Sequence, residues 1–422
     1  MNNNKMKLVS SQVWNLGQAN KDFEVGQGVK NEHSHSYMSF SQRRDTSKYI
    51  WITRRFRLDM AQIMGLLLTM VSVSAFSQAY DLPELVNPKQ DKAYINGELI
   101  YPLDNKPTPQ CHASTLEEIE GGIIVAWFGG TEEKNKDVGI WISRNMDDTW
   151  TKPVEVANGI QNANLRYPCW NPVLFQPKEG PLLLFYKIGP SPREWWGMLM
   201  TSDDGGLSWS KPKKMGKDKY GDLLGPIKNK PVQLENGTII SPTSIEYYEG
   251  KDLLWRVFFE MSKDNGKTWQ IVDYINDGYE FDAIQPSILF YPGNKMQILC
   301  RTIQDVISQS WSEDGGYTWS KMTATSLPNP SAGTDAVTLK DGRQLLIYNH
   351  TTKKGKFPKG RNMLNLATSV DGKEWKPVMT LERQEGEYSY PAIIQGEDGL
   401  VYITYTYRRN SIKYVVINPY DI

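Results

Sequence analysis

An all-β chain, folded as a six-bladed β-propeller, is predicted by two spaced repeats and by alternating apolar runs that persist to Ile422 with no stretch of helical period. The first repeat is Ser-x-Asp-x-Gly-x-Thr/Ser-Trp. It is complete at Ser202–Trp209, Ser262–Trp269 and Ser312–Trp319, and looser at Ser143–Trp150 and Ser369–Trp375. An Asp that bonds backbone amides, followed by a Gly free to take positive φ, makes a hairpin turn, and the Trp anchors that turn to a sheet. The tryptophans at 150, 209, 269, 319 and 375 are spaced by 59, 60, 50 and 56 residues, room for four short strands each.

The second repeat is a polar or aromatic residue, usually followed by Pro or a small residue, that leads into a β-branched run. Its six copies start at His112, Asn171, Lys230, Gln285, Asp335 and Tyr390. Proline is tolerated at the first position of a strand, where no ladder donor is needed. Each copy therefore reads as the start of an innermost strand, and the six leading residues should ring one mouth of the central channel, the default ligand site of this architecture.

In chain order, residues 1–59 read as a misassigned or disordered extension. Residues 60–77 read as a secretory signal: Arg54, Arg55 and Arg57 precede the apolar run Ala61–Val73, which is too short to span a bilayer, and small residues follow through Ser77 and Ala79. Residues 78–102 are assigned to closing the last blade, with Glu98–Tyr101 as the strand, and residues 103–422 to the propeller. A secreted or periplasmic protein with no membrane span after cleavage is expected. With 48 basic and 48 acidic residues, nothing favours nucleic acid or an anionic membrane, while 14 Trp and 22 Tyr suit sugar surfaces. The three cysteines, Cys111, Cys169 and Cys300, leave open one bridge between neighbouring blades or, by the burial preference of Cys, free thiols. No spacing suits a metal; neither metal nor cofactor is expected.

Over nearly all of residues 103–422 the chain resembles the sialidase superfamily, six-bladed propellers with Asp-box repeats. The resemblance rests on Leu299-Cys300-Arg301-Thr302, Arg361-Asn362-Met363-Leu364, Glu387-Tyr388-Ser389-Tyr390 and Asp137 ahead of Val138–Ile142. It implies Arg301 and Arg361 as clamps on a substrate carboxylate, Tyr388 as nucleophile and Asp137 as acid/base. A carboxylate at the anomeric carbon would repel a carboxylate nucleophile, which is why a neutral Tyr is used. Two departures stand inside this site: His112 replaces the family's first arginine, and Gln285 replaces the glutamate that activates the Tyr. Glu246 and Glu260 are the candidates to replace that glutamate, and His112 is a candidate anion ligand or base.

Asn171, Lys230, Asp335 and Tyr390 join Gln285 as candidate substrate contacts, and Trp196, in the turn-rich Gly189–Gly197 loop, is a candidate sugar platform. The expected activity is an exported glycosidase that releases a terminal acidic sugar from a glycan. The alternatives are a lyase or related uronate-acting enzyme on the same scaffold, with Tyr and His facing a uronate, and a glycan-binding propeller without catalysis.

Overall fold

The computed structural model describes residues 81–422, so the extension and the signal segment lie outside the described residues. Six antiparallel blade sheets follow one another, five of four strands and the first of five, with two further two-stranded hairpins. Their innermost strands are Gln110–Ile119 (blade I), Cys169–Phe175 (II), Val232–Gln233 (III), Ala283–Tyr291 (IV), Asp335–Thr338 (V) and Tyr388–Gln395 (VI). Blade VI takes its outermost strand from the start of the described chain: Tyr94–Leu99 pairs antiparallel with Ser411–Ile417. Among the described residues the sole helical element is a 3-10 turn at Pro419–Asp421. Inner strands are buried on both faces, as Cys169–Phe175 is at every position, because neighbouring blades cover them.

The Asp boxes fold as their residue types dictate. In the third complete copy, Ser312 Oγ donates to Asp314 Oδ1 at 2.8 Å and accepts the Gly316 N–H at 2.8 Å; Asp314 in turn accepts the Thr318 N–H at 2.9 Å and its hydroxyl at 2.6 Å. Gly316 has φ 91°, which a side chain resists. Each Trp packs on the preceding blade: Trp269 on Phe185 at 5.7 Å, Trp319 on Phe259 at 5.2 Å, and Trp150 on Tyr414 at 5.1 Å across the closure. The five boxes lie at the ends of the third strands of blades I to V, so antiparallel order puts them on the face opposite the starts of the inner strands.

Hydrogen bonds from Ser208 and Thr318, and from the following amides, hold the Asp204 and Asp314 carboxyls down from 3.8 to about 2. A carboxyl depressed in the folded state contributes stability that is complete above the unfolded value and is lost as pH falls through the folded one. We predict that urea stability declines between pH 4 and 2 and that Asp204→Asn/Asp314→Asn flattens part of that decline; an identical pH dependence in the double variant would contradict the assignment.

Candidate active site

The inner strands do not enter the channel mouth as regular β-structure. In blades I, II, IV and VI the strand register breaks at His112/Thr115, opposite Phe185/Lys187, at Ile284/Ser287 and at Ser389/Ala392. At each break a non-glycine residue takes left-handed φ: Ala113 at 55°, Asn171 at 36°, Gln285 at 60° and Tyr390 at 51°. Bulges of this kind re-aim a side chain at some cost in strain, and here they carry His112, Asn171, Gln285 and Tyr390 to a single cavity of about 370 Å³. All six blades line it, and the loops between second and third strands add Glu133, Arg361 and Arg409.

Arg301 is the penultimate residue of the second strand of blade IV, Lys295–Thr302. It is 9% exposed, and its Nη1 donates to the Tyr390 hydroxyl oxygen at 2.7 Å and to Gln285 Oε1 at 3.3 Å. Among the described residues no carboxylate lies within ion-pair distance of Arg301, and its buried Nε finds no partner. The Arg301 guanidinium stands 5.8 Å from the Tyr390 ring centre and that of Arg361 5.4 Å from it. Arg361 donates to Glu387 Oε1 at 2.9 Å; Arg409 donates to Glu387 Oε2 at 2.9 Å and to Glu133 Oε2 at 2.6 Å. Burial would raise the Glu387 carboxyl, but the Arg409 and Arg361 guanidiniums bonded to it hold it well below the carboxylate range.

His112 packs its ring 4.3 Å from that of Tyr390, places Nδ1 3.0 Å from Thr406 Oγ1, and has Nε2 3.5 Å from Arg409 Nη2. Burial and then the Arg409 charge push it well below the usual imidazole range, so it stands neutral at pH 7. Glu246, in the second strand of blade III (Ile239–Glu249), lines the same cavity. Burial raises its carboxyl, although Arg301 and Arg193 oppose the shift.

Several residues singled out from the sequence stand elsewhere. Tyr388 is buried away from the cavity, its hydroxyl accepting from Arg408 Nε at 2.9 Å; the bulge at Tyr390 undoes the two-residue spacing that would put both rings on one face, and Tyr390 lines the pocket. Asp137 caps its own hairpin, accepting the Thr131 N–H at 2.7 Å and its hydroxyl at 2.6 Å. Burial would raise that carboxyl, but the Thr131 bonds prevail and lower it, the direction opposite to a proton donor's; the same hairpin delivers Glu133 to the pocket instead. Trp196 packs against Tyr167 at 5.7 Å, and it is Trp195 that lines the cavity. Glu260 accepts the Leu224 and Gly225 N–H groups at 2.6 and 2.7 Å, outside the lining.

Lys230 and Asp335 pair with each other at 2.9 Å outside the lining, because blades III and V place their left-handed residues earlier, at Lys228 (70°) and Ser331 (57°). The cysteines are free and buried. Sequence reasoning missed Arg409. Its trace is a hairpin tip, Arg408-Arg409-Asn410, with both arginines left-handed at 51° and 56°, the conformation that Asn-Gly fills elsewhere and that costs L-residues roughly 1–2 kcal/mol each.

A strained, cationic pocket thus stands at the axis of a six-bladed Asp-box propeller. The chain belongs to the family of the BNR repeat-like domain, whose model matches residues 121–403, and is a divergent member of the sialidase superfamily. A Clostridium perfringens sialidase is 29% identical over 89 residues, 18% of this chain and 22% of that protein, so the match spans about a fifth of the curated relative. The Hadza microbial sialidase Hz136 superposes with TM-score 0.64 at 19% identity over 77% of this chain and 69% of its own. A Ruminococcus gnavus intramolecular trans-sialidase, solved with oseltamivir carboxylate, gives 0.59 at 16% over 78% and 98%. A Dyadobacter fermentans protein of unknown function gives 0.62 at 17% over 77% and 98%. At such identities the structural likeness is one of fold.

Asp335 gathers Lys230 Nζ at 2.9 Å, Asn229 Nδ2 at 3.0 Å, Ser287 Oγ at 3.1 Å and the Ile393 N–H at 3.0 Å beneath this site. Removing its charge leaves the buried Lys228 and half-buried Lys230 without their anion. Asp335→Asn should therefore lower unfolding free energy by about 3–5 kcal/mol in urea titration, and a loss under about 1 kcal/mol would refute its role as a hub.

Proposed function

We propose that the protein is an exported glycoside hydrolase of the sialidase superfamily that removes a terminal acidic sugar from a glycan. The observation that carries this reading is Arg301, a nearly buried guanidinium that, among the described residues, has no carboxylate within ion-pair distance. A buried cation without a counter-ion is costly, and a substrate carboxylate shared between Arg301 and Arg361 would satisfy it bidentately. Tyr390 then stands under the anomeric carbon as nucleophile. Negative charge that develops on its oxygen meets the Arg301 Nη1 at 2.7 Å.

Glu246 takes the phenol proton. Its raised carboxyl makes it a stronger base than an ordinary glutamate and fills the role that Gln285 cannot, since an amide accepts no proton. The Tyr390 oxygen–carbon bond forms as the glycosidic bond breaks, and water at the open rim protonates the departing oxygen. The hydroxide left by that water then attacks the anomeric carbon and expels the Tyr390 oxygen, which takes its proton back from Glu246, so that both side chains return to their starting states.

A second reading draws on the neutral His112 stacked on Tyr390. With a uronate held by the arginines, the same pair would remove the proton next to the neutralised carboxylate and expel the leaving group by β-elimination. The two are separated by assaying sialosides and uronate oligosaccharides for reducing ends and ultraviolet absorbance together. Hydrolysis releases sugar without absorbance, elimination raises absorbance, and binding with neither would leave a glycan receptor.

Under the hydrolase reading, Tyr390→Phe lowers kcat at least a thousandfold with ligand affinity kept within a few fold, whereas Tyr388→Phe leaves kcat within about threefold. Glu246 must be ionised to act, so kcat/KM rises with pH through its elevated pKa. In Glu246→Gln that rising limb disappears and kcat falls about a hundredfold. A limb unchanged in Glu246→Gln would remove Glu246 from the mechanism.

A further inference from the structure

One blade stands taller than the rest. The second and third strands of blade III, Ile239–Glu249 and Asp252–Ser262, have 11 residues each, whereas their counterparts in the other five blades have between 5 and 9. Every residue from Ile239 to Glu249 has its cross-strand partner, with no bulge, up to the two-residue turn Gly250-Lys251, where Gly250 takes φ 62°. Side chains therefore alternate strictly between two faces. Ser244, Glu246 and Trp255, the partner of Glu246, line the cavity. Tyr248 and its partner Leu253 come next on that face, about 7 Å further toward the tip.

The two faces are finished differently. On the outer one, Arg256 lies 5.3 Å from the ring centres of both Tyr247 and Tyr274 and donates Nε to the Asp277 carbonyl at 3.0 Å, while the Tyr279 hydroxyl donates to Glu249 Oε2 at 2.6 Å. This bracing holds the projecting end as a ledge. On the cavity face the guanidinium of Arg193, from the loop before the third strand of blade II, lies over the Tyr248 ring at 5.3 Å, and Tyr248 is still 58% exposed. Arg193 itself lines the cavity. Its loop is fixed by the Glu194 N–H on the Ser191 carbonyl at 2.9 Å and by Trp195 packed edge-on against Trp170 at 5.9 Å. A single exposed tyrosine is ordinary on a protein surface. This one is in register with cavity-lining residues and is pinned on one face by a cation that lines the cavity too, which leaves its other face bare at the rim.

We infer that Tyr248, oriented by Arg193, is a second sugar subsite on the leaving-group side: the pyranose next to the acidic sugar lays its apolar C–H face on the phenol ring while its hydroxyls stay in water. The inference rests on the acidic-sugar reading above. In that reading Tyr390 attacks from beneath and the departing oxygen faces the open rim, so the sugar it carries emerges where the ledge rises. A ring that touches only the second sugar separates the end of a glycan chain from a free acidic sugar.

The experiment is calorimetric binding to the protein carrying Tyr390→Phe, which keeps the ligands intact. The single-sugar probes are the methyl α-glycoside of N-acetylneuraminic acid and methyl β-glucuronide. The extended probes, matched to them in anomeric configuration, are 3′-sialyllactose and glucuronyl-β1,3-N-acetylglucosamine. At least one extended probe should bind about tenfold or more tightly than its methyl glycoside. Adding Tyr248→Ala should remove most of that difference and leave methyl-glycoside affinity within about twofold, since the two contacts are separate. Tyr248→Phe should keep the difference, because the ring and not the hydroxyl makes the contact. No advantage for either extended probe, an advantage unchanged by Tyr248→Ala, or an equal loss for single and extended probes in that variant overturns the ledge subsite and leaves the acidic-sugar reading standing. If none of the four probes binds, the acidic-sugar reading itself fails.

Discussion

The channel of this propeller is held by one buried carboxylate. Asp335 opens the inner strand of blade V and draws donors from blades III, IV and VI, so four of the six sheets meet at one side chain. Burial alone would raise its carboxyl; Lys230 and Lys228 reverse the shift and keep it ionised. The same network reaches the site. Lys228, buried and lowered to about 7 by desolvation, donates to the Thr334 and Pro391 carbonyls. Pro391 follows Tyr390, so the bulge that turns the phenol into the cavity is pinned from below by an ammonium group that Asp335 helps to keep charged.

Strain at the mouth and order beneath it belong together. Left-handed backbone at Asn171, Gln285 and Tyr390 persists because the surrounding packing over-determines it. Each of these residues precedes a proline, which supplies no N–H and so suits a position where the ladder is already broken. The Asp boxes on the opposite face act as inter-blade rivets through their tryptophans. Shape is thus maintained at one end of the channel while chemistry is concentrated at the other.

The fold was legible because its signals are local. Asp, Gly and Trp at fixed spacing make the same turn wherever they occur, and the six strand starts marked the axis. The site was legible in part. His112, Gln285 and Asn171 come together in the cavity, as the spacing of the repeats suggested, and Arg301 and Arg361 join them there, as the family resemblance implied. The choice between Tyr388 and Tyr390, or between Trp195 and Trp196, depended on bulges that reverse the side a residue faces, and alternation rules assume there are none. Asp137 was lost to a capping interaction with Thr131 six residues earlier. Lys230 and Asp335 satisfied each other, as buried opposite charges in a narrow channel do. Arg409 was hidden because hairpin tips are ordinarily solvated; two arginines in a position that calls for Asn-Gly were the sign.

His112 and Gln285 stand where a sialidase-like site is expected to hold an arginine and a glutamate, and the structure puts other groups of the missing kinds nearby: Arg409 beside His112 and Glu246 in the same cavity. Under the proposed function the exposed side of this arginine cluster receives an acidic sugar over Tyr390. A crystal structure with N-acetylneuraminic acid or glucuronic acid soaked into the protein tests it most directly. The sugar carboxylate should lie within hydrogen-bond distance of both Arg301 and Arg361, with the anomeric carbon next to the Tyr390 hydroxyl. A ligand bound outside this cavity, or one whose carboxylate avoids both arginines, would contradict it.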